Sequence, residues 1–366
     1  MKLNGLFRLT VAAIMCLTSA GAFAFSLVVA GGDDRQPLAG APLMTANGTI
    51  KGLTDERGAI ELTEADLPAT VRYMGYDDAT LTAAADTVFL SPRAFELSEM
   101  VVQPEDRPVL KLRCYIREYT TAAYGTDTLQ LFGEYMSDYF LPAKKVKGFK
   151  SNTATIRVQR QRMRHKNAEG LDSISRPTDE DEFLSWAKLC GINPATKTLA
   201  DSVREGRTAI VPGKQSGDYA TLRLAPDGKV IYTCDLLADH KGHHWEPWIF
   251  KLLGMTIDAT EMRSQNIFTL ADDATYGPAT LQMCSYAIGM TIKSKWVKRA
   301  FHTKEPIKTY SVIEIYPVEA VYLTVEDAKA AEKEYDIRDI TPSPAAPPLP
   351  ANIKEMLETD DNMEGR

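Results

Sequence analysis

The amino-acid sequence predicts a mainly β protein: a small N-terminal sandwich, then a larger β-rich α+β domain with a few short helices. Three observations carry that reading. Short strands recur at turn-punctuated intervals between Phe25 and Val102, longer alternating segments rich in aromatic and β-branched residues follow, and helix-start signals are few. A chain of 366 residues suggests about two domains, and its 44% apolar content can fill ordinary cores.

The first residues read as an export signal. Lys2 and Arg8 mark a short basic start, and Leu9 to Phe23 are apolar or small. That run falls short of the ~20 strongly apolar residues that span a bilayer. It ends in Ala22-Phe23-Ala24, a small-x-small cleavage pattern, so residues 1–24 are expected to be removed and the mature chain to begin at Phe25. Cys16 is preceded by Met15, with Ala13 three positions back, which does not suit a lipoprotein signal. An exported protein, periplasmic or associated with an outer membrane, is the expectation, with no membrane span in the mature chain. The net charge of -7 argues against a nucleic-acid partner.

From residue 25 to 103, "FSLVVA", "GLTDERGAIEL", "ATVRYMGYDDATL", "DTVFL" and "LSEMVV" supply the strands. Asn47-Gly48 and Arg57-Gly58 offer tight turns, and Pro37 and Pro42 suit loops or edges. The succession "QPLAGAPLMT", "GLTDERGAIEL", "VRYMGYDDATL" and "FELSEMVV" resembles the carboxypeptidase-regulatory-like domain found at the start of many Bacteroidetes envelope proteins, including TonB-coupled nutrient receptors. The resemblance implies a transthyretin- or immunoglobulin-like sandwich that docks or spaces, with no catalytic residues. Asp55 and Gly58 are then turn formers, and Ala59 to Leu62 re-enter a sheet. The peptidases behind the family's name use His-x-x-Glu, and His243-His244-Trp245-Glu246 has that order. A third ligand far downstream is missing, however, because His302 is the last histidine.

Residues 105–340 form the second domain, and its likeness to uncharacterised envelope proteins assigns no activity. "VLKLRCYIREY", "DTLQLFGEYMSDYF", "NTATIRVQRQRM", "GDYATLRLAPDGKVIYTCDLL" and "IKTYSVIEIYPVEAVYL" predict antiparallel strands, with "APDGKV" a hairpin turn. Helices are expected in three places. Thr178 and Asp181 open "DEDEFLSWAKLCG", with Phe183, Trp186, Ala187 and Cys190 on one face. Pro247 begins "PWIFKLLG", read as buried, and Thr324 caps "VEDAKAAEKE". Residues 341–366 read as a Pro-rich extended segment with a mobile acidic end.

Cys114, Cys190, Cys234 and Cys284 remain after cleavage, with no C-x-x-C. Cys114 and Cys234 share strand faces with apolar neighbours and read as buried thiols, a Cys114–Cys234 bridge being the alternative.

Two constellations could carry chemistry. Asp235, Asp239, His240, His243, His244 and Glu246 gather metal-capable side chains within twelve residues, but Lys241-Gly242 interrupts any helix that would align His240 with His244. A polar loop is the plainer reading. The basic run from Lys144 to Lys166 includes Lys144, Lys145, Lys147, Lys150 and Arg157. Within it, Arg160, Arg162 and Arg164 would share one strand face and could meet lipid or glycan phosphates; a charged edge strand is the plainer reading here. There is no Gly-x-Ser-x-Gly, and "PGKQSGD" lacks the phosphate-loop glycine, Thr208 standing in its place. The tyrosines Tyr115, Tyr119, Tyr124, Tyr135 and Tyr139 suit either sugar stacking or a sheet face. The function that fits best is a non-catalytic envelope protein that needs no cofactor and binds a protein partner or a glycan or lipid ligand. A metal-dependent hydrolase with its site near residues 235–246 is the runner-up.

Overall fold

The computed structural model describes residues 24–94, 106–143, 146, 154–199, 208–212, 218–225, 228–252 and 254–359. The export segment with Cys16, the "FELSEMVV" strand, Lys144, Lys145, Lys147, Lys150, the loop from Gly213 to Gly217 and the last residues of the acidic end lie outside the described residues.

Among the described residues seven short strands build the predicted sandwich: β1 (Ala24–Gly31), β2 (Pro42–Thr45), β3 (Ile50–Leu53), β4 (Ala59–Thr63), β5 (Ala69–Val71), β6 (Ala79–Leu81) and β7 (Thr87–Leu90). They form two sheets, β4-β1-β7 and β3-β2-β5-β6. Leu27, Val29, Leu43, Leu62, Val71 and Leu90 close a core between them. The "TDERG" turn works as its residues suggest. Asp55 Oδ1 accepts from the Arg57 and Ala59 amides, each at 2.8 Å, and Gly58 sits at φ 70°, where an added Cβ would run into the Val29 carbonyl.

The second unit is one wide antiparallel sheet. Its strands are β8 (Val109–Tyr124), β9 (Asp127–Pro142), β10 (Thr155–Lys166), β11 (Asp172–Ser175), β13 (Thr208–Pro212), β14 (Asp218–Leu224), β15 (Lys229–Asp235), β16 (Thr256–Thr269), β18 (Leu281–Lys293) and β19 (Ile307–Leu323). A separate two-stranded pair joins β12 (Lys197–Thr198) to β17 (Thr275–Tyr276). The ten strands lie in the order β11-β10-β9-β8-β19-β18-β16-β15-β14-β13, so the last strand is inserted at the centre. Among the described residues four α-helices accompany them: α1 (Trp248–Leu252), α2 (Lys295–Ala300), α3 (Val325–Ala331) and α4 (Ala351–Glu358). Among the described residues no helix is long and apolar enough to cross a membrane.

Both sheet faces are covered. On one face, Leu112, Cys114, Ile116, Tyr139, Cys284 and Ile313 pack with Phe183, Leu184 and Trp186. The four cysteines are free and buried, so Cys114 and Cys234 are core thiols and no bridge joins them. The segment expected as a helix from Thr178 buries the intended side chains but winds as two 3-10 turns, Asp179–Leu184 and Ala187–Leu189. Thr178 and Asp181 still pair, amide to carboxylate at 2.7 Å. A buried acid explains the break. Glu118, fully buried in β8, accepts from the Trp186 amide, the Ser185 hydroxyl at 2.9 Å and the Tyr135 hydroxyl at 2.6 Å, so those groups turn towards it instead of continuing a helix.

The opposite face carries the sandwich and the C-terminal segment. Met44, Ile50 and Leu53 pack with Tyr119, Phe132 and Val312, while Ile353 and Met356 of α4 close the same cluster. The stretch after Thr341 is irregular, with a turn in which the Ala346 amide donates to the Ser343 carbonyl at 3.0 Å, and it then enters α4. It does not project freely up to Glu358: Ser343 and Met356 are buried against the sheet. Arg72, 4% exposed, crosses the interface from sandwich to sheet. It lies 3.2 Å from Asp78 and 3.5 Å from Glu314 of β19, with its guanidinium over the Tyr119 ring.

Arg72→Met should therefore destabilise the whole chain, because Glu314 loses a buried partner. A cost of about 3–5 kcal/mol is expected, read from urea unfolding. A loss under about 1 kcal/mol would make the ion pair incidental. Glu118 gives a pH-dependent expectation. Burial outweighs its hydrogen bonds and raises its pKa above the ordinary 4.5. The folded chain thus holds this proton to higher pH than the unfolded chain does. Its contribution to stability is full below pH 4.5 and is lost as pH rises through the folded value. Glu118→Gln, which cannot ionise, should flatten that part of the stability curve measured from acid to neutral pH.

Candidate functional site

Strands β14, β15 and β16 alternate strictly where they meet the sandwich. Ala220, Leu222, Val230, Tyr232 and Cys234 point into the apolar layer. Their neighbours Thr221, Arg223, Ile231, Thr233 and Asp235 point to the other side, and Arg263 and Gln265 of β16 join them. The sandwich closes over this surface with Gln36 to Ala39, Glu56 and Tyr73, leaving a cavity of about 350 Å³. A second, more apolar hollow of about 230 Å³ adjoins it, lined by Tyr76, Pro92, Ile267 and, in common with the first, Arg223 and Ile231.

The charges in this cleft are unequal in their engagement. Arg223 is anchored: it donates to Asp34 and, at 2.6 Å, to the Tyr76 hydroxyl, so it pins the sandwich to the sheet. Arg263 has a looser partner in Glu56 at 3.8 Å, and its Nε is buried without an acceptor. Gln265, 5% exposed, has a buried Nε2 that is likewise unpaired. Burial pushes the Tyr73 hydroxyl up to about 12, against a hydrogen bond with Thr233, so it stays a neutral polar wall at physiological pH.

The metal-capable segment is dispersed by its fold. His243 Nε2 lies 3.1 Å from Asp235, His244 Nδ1 is 2.8 Å from Asp258, and Glu246 pairs with Lys251 at 3.0 Å. His240 is exposed, at the start of a turn. Asp235 and His243 alone of the six come together, and Glu56 from the sandwich joins them. The helix begun by Pro247 is present as α1, but its apolar side chains face outward: Trp248 is 70% exposed and Leu252 73%. The single-turn helix is too short to bury both sides, and its packing runs through the half-buried Trp245 and Phe250.

Arg160, Arg162 and Arg164 do share one face of β10. That face is turned towards the C-terminal segment and is already supplied with acceptors. Arg160 meets Glu134, Arg164 meets Asp172 at 2.6 Å and Glu355 at 2.9 Å, and Arg162 donates to the Gln161 carbonyl at 2.8 Å. Arg157 uses the bulge after Ile156 to reach Asp138 and the carbonyls at the end of α3. Arg157 and Arg164 are thus tied to acids of the same chain, while Arg160, paired with Glu134, keeps its side chain 46% exposed.

Arg263, Gln265, Tyr73 and Glu56 had not been singled out from the sequence. One signal for them stands in "EMRSQN", a polar run inside what must be a central strand, where neither face reads as apolar.

No family model matches the chain, and no curated protein matches it. Among solved structures, one of lipovitellin, described as concerning lipid–protein interactions in that protein, is similar at a TM-score of 0.31 and 8% identity over 60% of this chain. The chain spans 26% of that protein's length. A likeness of that size assigns neither fold nor ligand.

The exposure of α1 separates two tryptophans. Trp248→Ala should change stability by less than about 1 kcal/mol, whereas Trp186→Ala, at a residue 7% exposed, should cost about 3–5 kcal/mol. Urea unfolding of both variants checks this, and equal losses would contradict the placement of α1.

Proposed function

We propose that this is a non-catalytic cell-envelope protein whose sandwich acts as a docking layer and whose junction with the wide sheet binds a ligand. The observation that carries the binding part is that Arg263 and Gln265, two residues lining the 350 Å³ cavity, each hold a buried donor, Nε and Nε2, with no hydrogen-bond acceptor among the described residues. Buried donors favour an acceptor supplied from the cavity side. Beside them lies the apolar hollow at Pro92 and Ile267. Together they suit a ligand with a compact oxygen-rich group and an apolar portion, either the carboxylate of an acidic glycan or the phosphate of a lipid headgroup.

The envelope setting rests on the export-type start and on the resemblance of the first domain to envelope modules. A hydrolase centred on residues 235–246 has less support, since His244 and Glu246 pair with Asp258 and Lys251 and His240 is exposed. Saturation-transfer NMR on the full mature chain with glucuronate, glycerol phosphate and glucose tests the reading. At least one anionic probe should bind more tightly than glucose, and Arg263→Met should weaken it at least about tenfold, as loss of a charge-assisted hydrogen bond predicts. Glucuronate alone would assign a glycan, and glycerol phosphate alone a headgroup. No binding by either, or binding indifferent to Arg263→Met, would remove the cleft from consideration.

A further inference from the structure

One group of side chains at the cleft mouth is assembled from three separate segments. Glu56 belongs to the "TDERG" turn of the sandwich, Asp235 ends β15, and His243 follows in the next turn. A carboxylate oxygen of each acid and a ring nitrogen of the histidine all lie within 4.8 Å of one another, and His243 Nε2 is 3.1 Å from Asp235. Ligands ~2.0–2.2 Å from one small cation stand ~3.3–3.6 Å apart in tetrahedral geometry, so His243 and Asp235 are already near that spacing and a small movement of the exposed Glu56 side chain would complete the set.

A further acid lies on the neighbouring strand: Glu261 has a buried Oε2 without a hydrogen-bond partner. His243 takes a left-handed backbone, φ 55°, directly after Gly242 at φ 74°, which returns the ring towards Asp235.

We infer that Glu56, Asp235 and His243 form a binding site for a divalent transition-metal ion, which would clamp the sandwich to the sheet. One imidazole with two carboxylates suits Zn2+ better than Mg2+ or Ca2+, which prefer all-oxygen shells. The site borders the cavity of the ligand reading, since Glu56 and Asp235 line it and Glu56 partners Arg263, but it draws its ligands from neither Gln265 nor the apolar hollow, so loss of Zn2+ binding and loss of anion binding are read separately. Its role is cohesive: an ion held by both units links them at a point where the Arg263–Glu56 pair, at 3.8 Å, also crosses from this turn.

Calorimetric titration of the chelator-treated full mature chain with Zn2+ tests it. One ion per chain should bind, and Glu56→Gln, Asp235→Asn and His243→Ala should each weaken binding at least about tenfold, in line with the loss of one ligand. His240→Ala and His244→Ala should bind as wild type. Glu56 is mostly exposed, so Glu56→Gln separates loss of a ligand from loss of the fold; circular dichroism confirms folding. Zn2+ should also raise the melting temperature of wild type and not of Glu56→Gln. No saturable binding, binding unaffected by Glu56→Gln and His243→Ala, or binding of Ca2+ in preference to Zn2+ would overturn the proposal.

Discussion

The central strands of the sheet carry charges on a face largely covered by other parts of the chain, and most of the architecture follows from supplying them with partners. Asp138 is fully buried and lies 2.9 Å from Arg113 and 2.8 Å from Arg157. Those guanidiniums are in turn satisfied from outside the sheet, Arg113 by Asp336 and Arg157 by the carbonyls of Ala331, Glu332 and Glu334. Arg117 reaches the Pro347 carbonyl and Arg72 comes down from the sandwich to Glu314. Each buried ion thus recruits a piece of chain from elsewhere, since an unpaired one is costly. The C-terminal segment and the sandwich are held as much by this demand as by apolar contact.

This explains why the covering layers meet the sheet unevenly. Over β8, β9 and β19 the partners are numerous and the contact is close, with Met44, Ile50 and Met356 filling the space between ion pairs. Over β14 to β16 the sandwich offers Arg223 its anchors Asp34 and Tyr76 but gives Arg263 and Gln265 little. A cleft opens where the polar complement runs out. Cavity and interface are two results of one accounting of hydrogen bonds.

Strand existence and the turns were legible because alternation and Gly placement are local properties: Gly58, the Ala225–Lys229 hairpin and the Thr324 cap all stand where the sequence puts them. The mainly β class followed from the same signals. What local pattern could not convey was which faces are covered. The apolar letters of "PWIFKLLG" say nothing of whether a neighbour exists, and Trp248 has none over most of its surface. Arg160 and Arg164 read as available cations because their partners Glu134, Asp172 and Glu355 come from other parts of the chain. In the same way Asp235 and His243 were visible as candidates, while Glu56, almost 180 residues earlier, was visible only as a turn.

The insertion of β19 between β8 and β18 has a consequence for the order of assembly. Strands β8 to β11 can pair in sequence order, and β13 to β16 with β18 can do so as a second group, each strand joining the one before it in its sheet. Neither group can pair its inner edge until residues 307–323 arrive, because Ile116 and Cys284 both find their sheet neighbour in Ile315. Until then two open edges persist on a chain with long, β-branched strands, the condition that favours pairing with the wrong molecule. The final strand is the keystone of the sheet, and a nascent chain lacking it consists of two half-sheets with sticky borders.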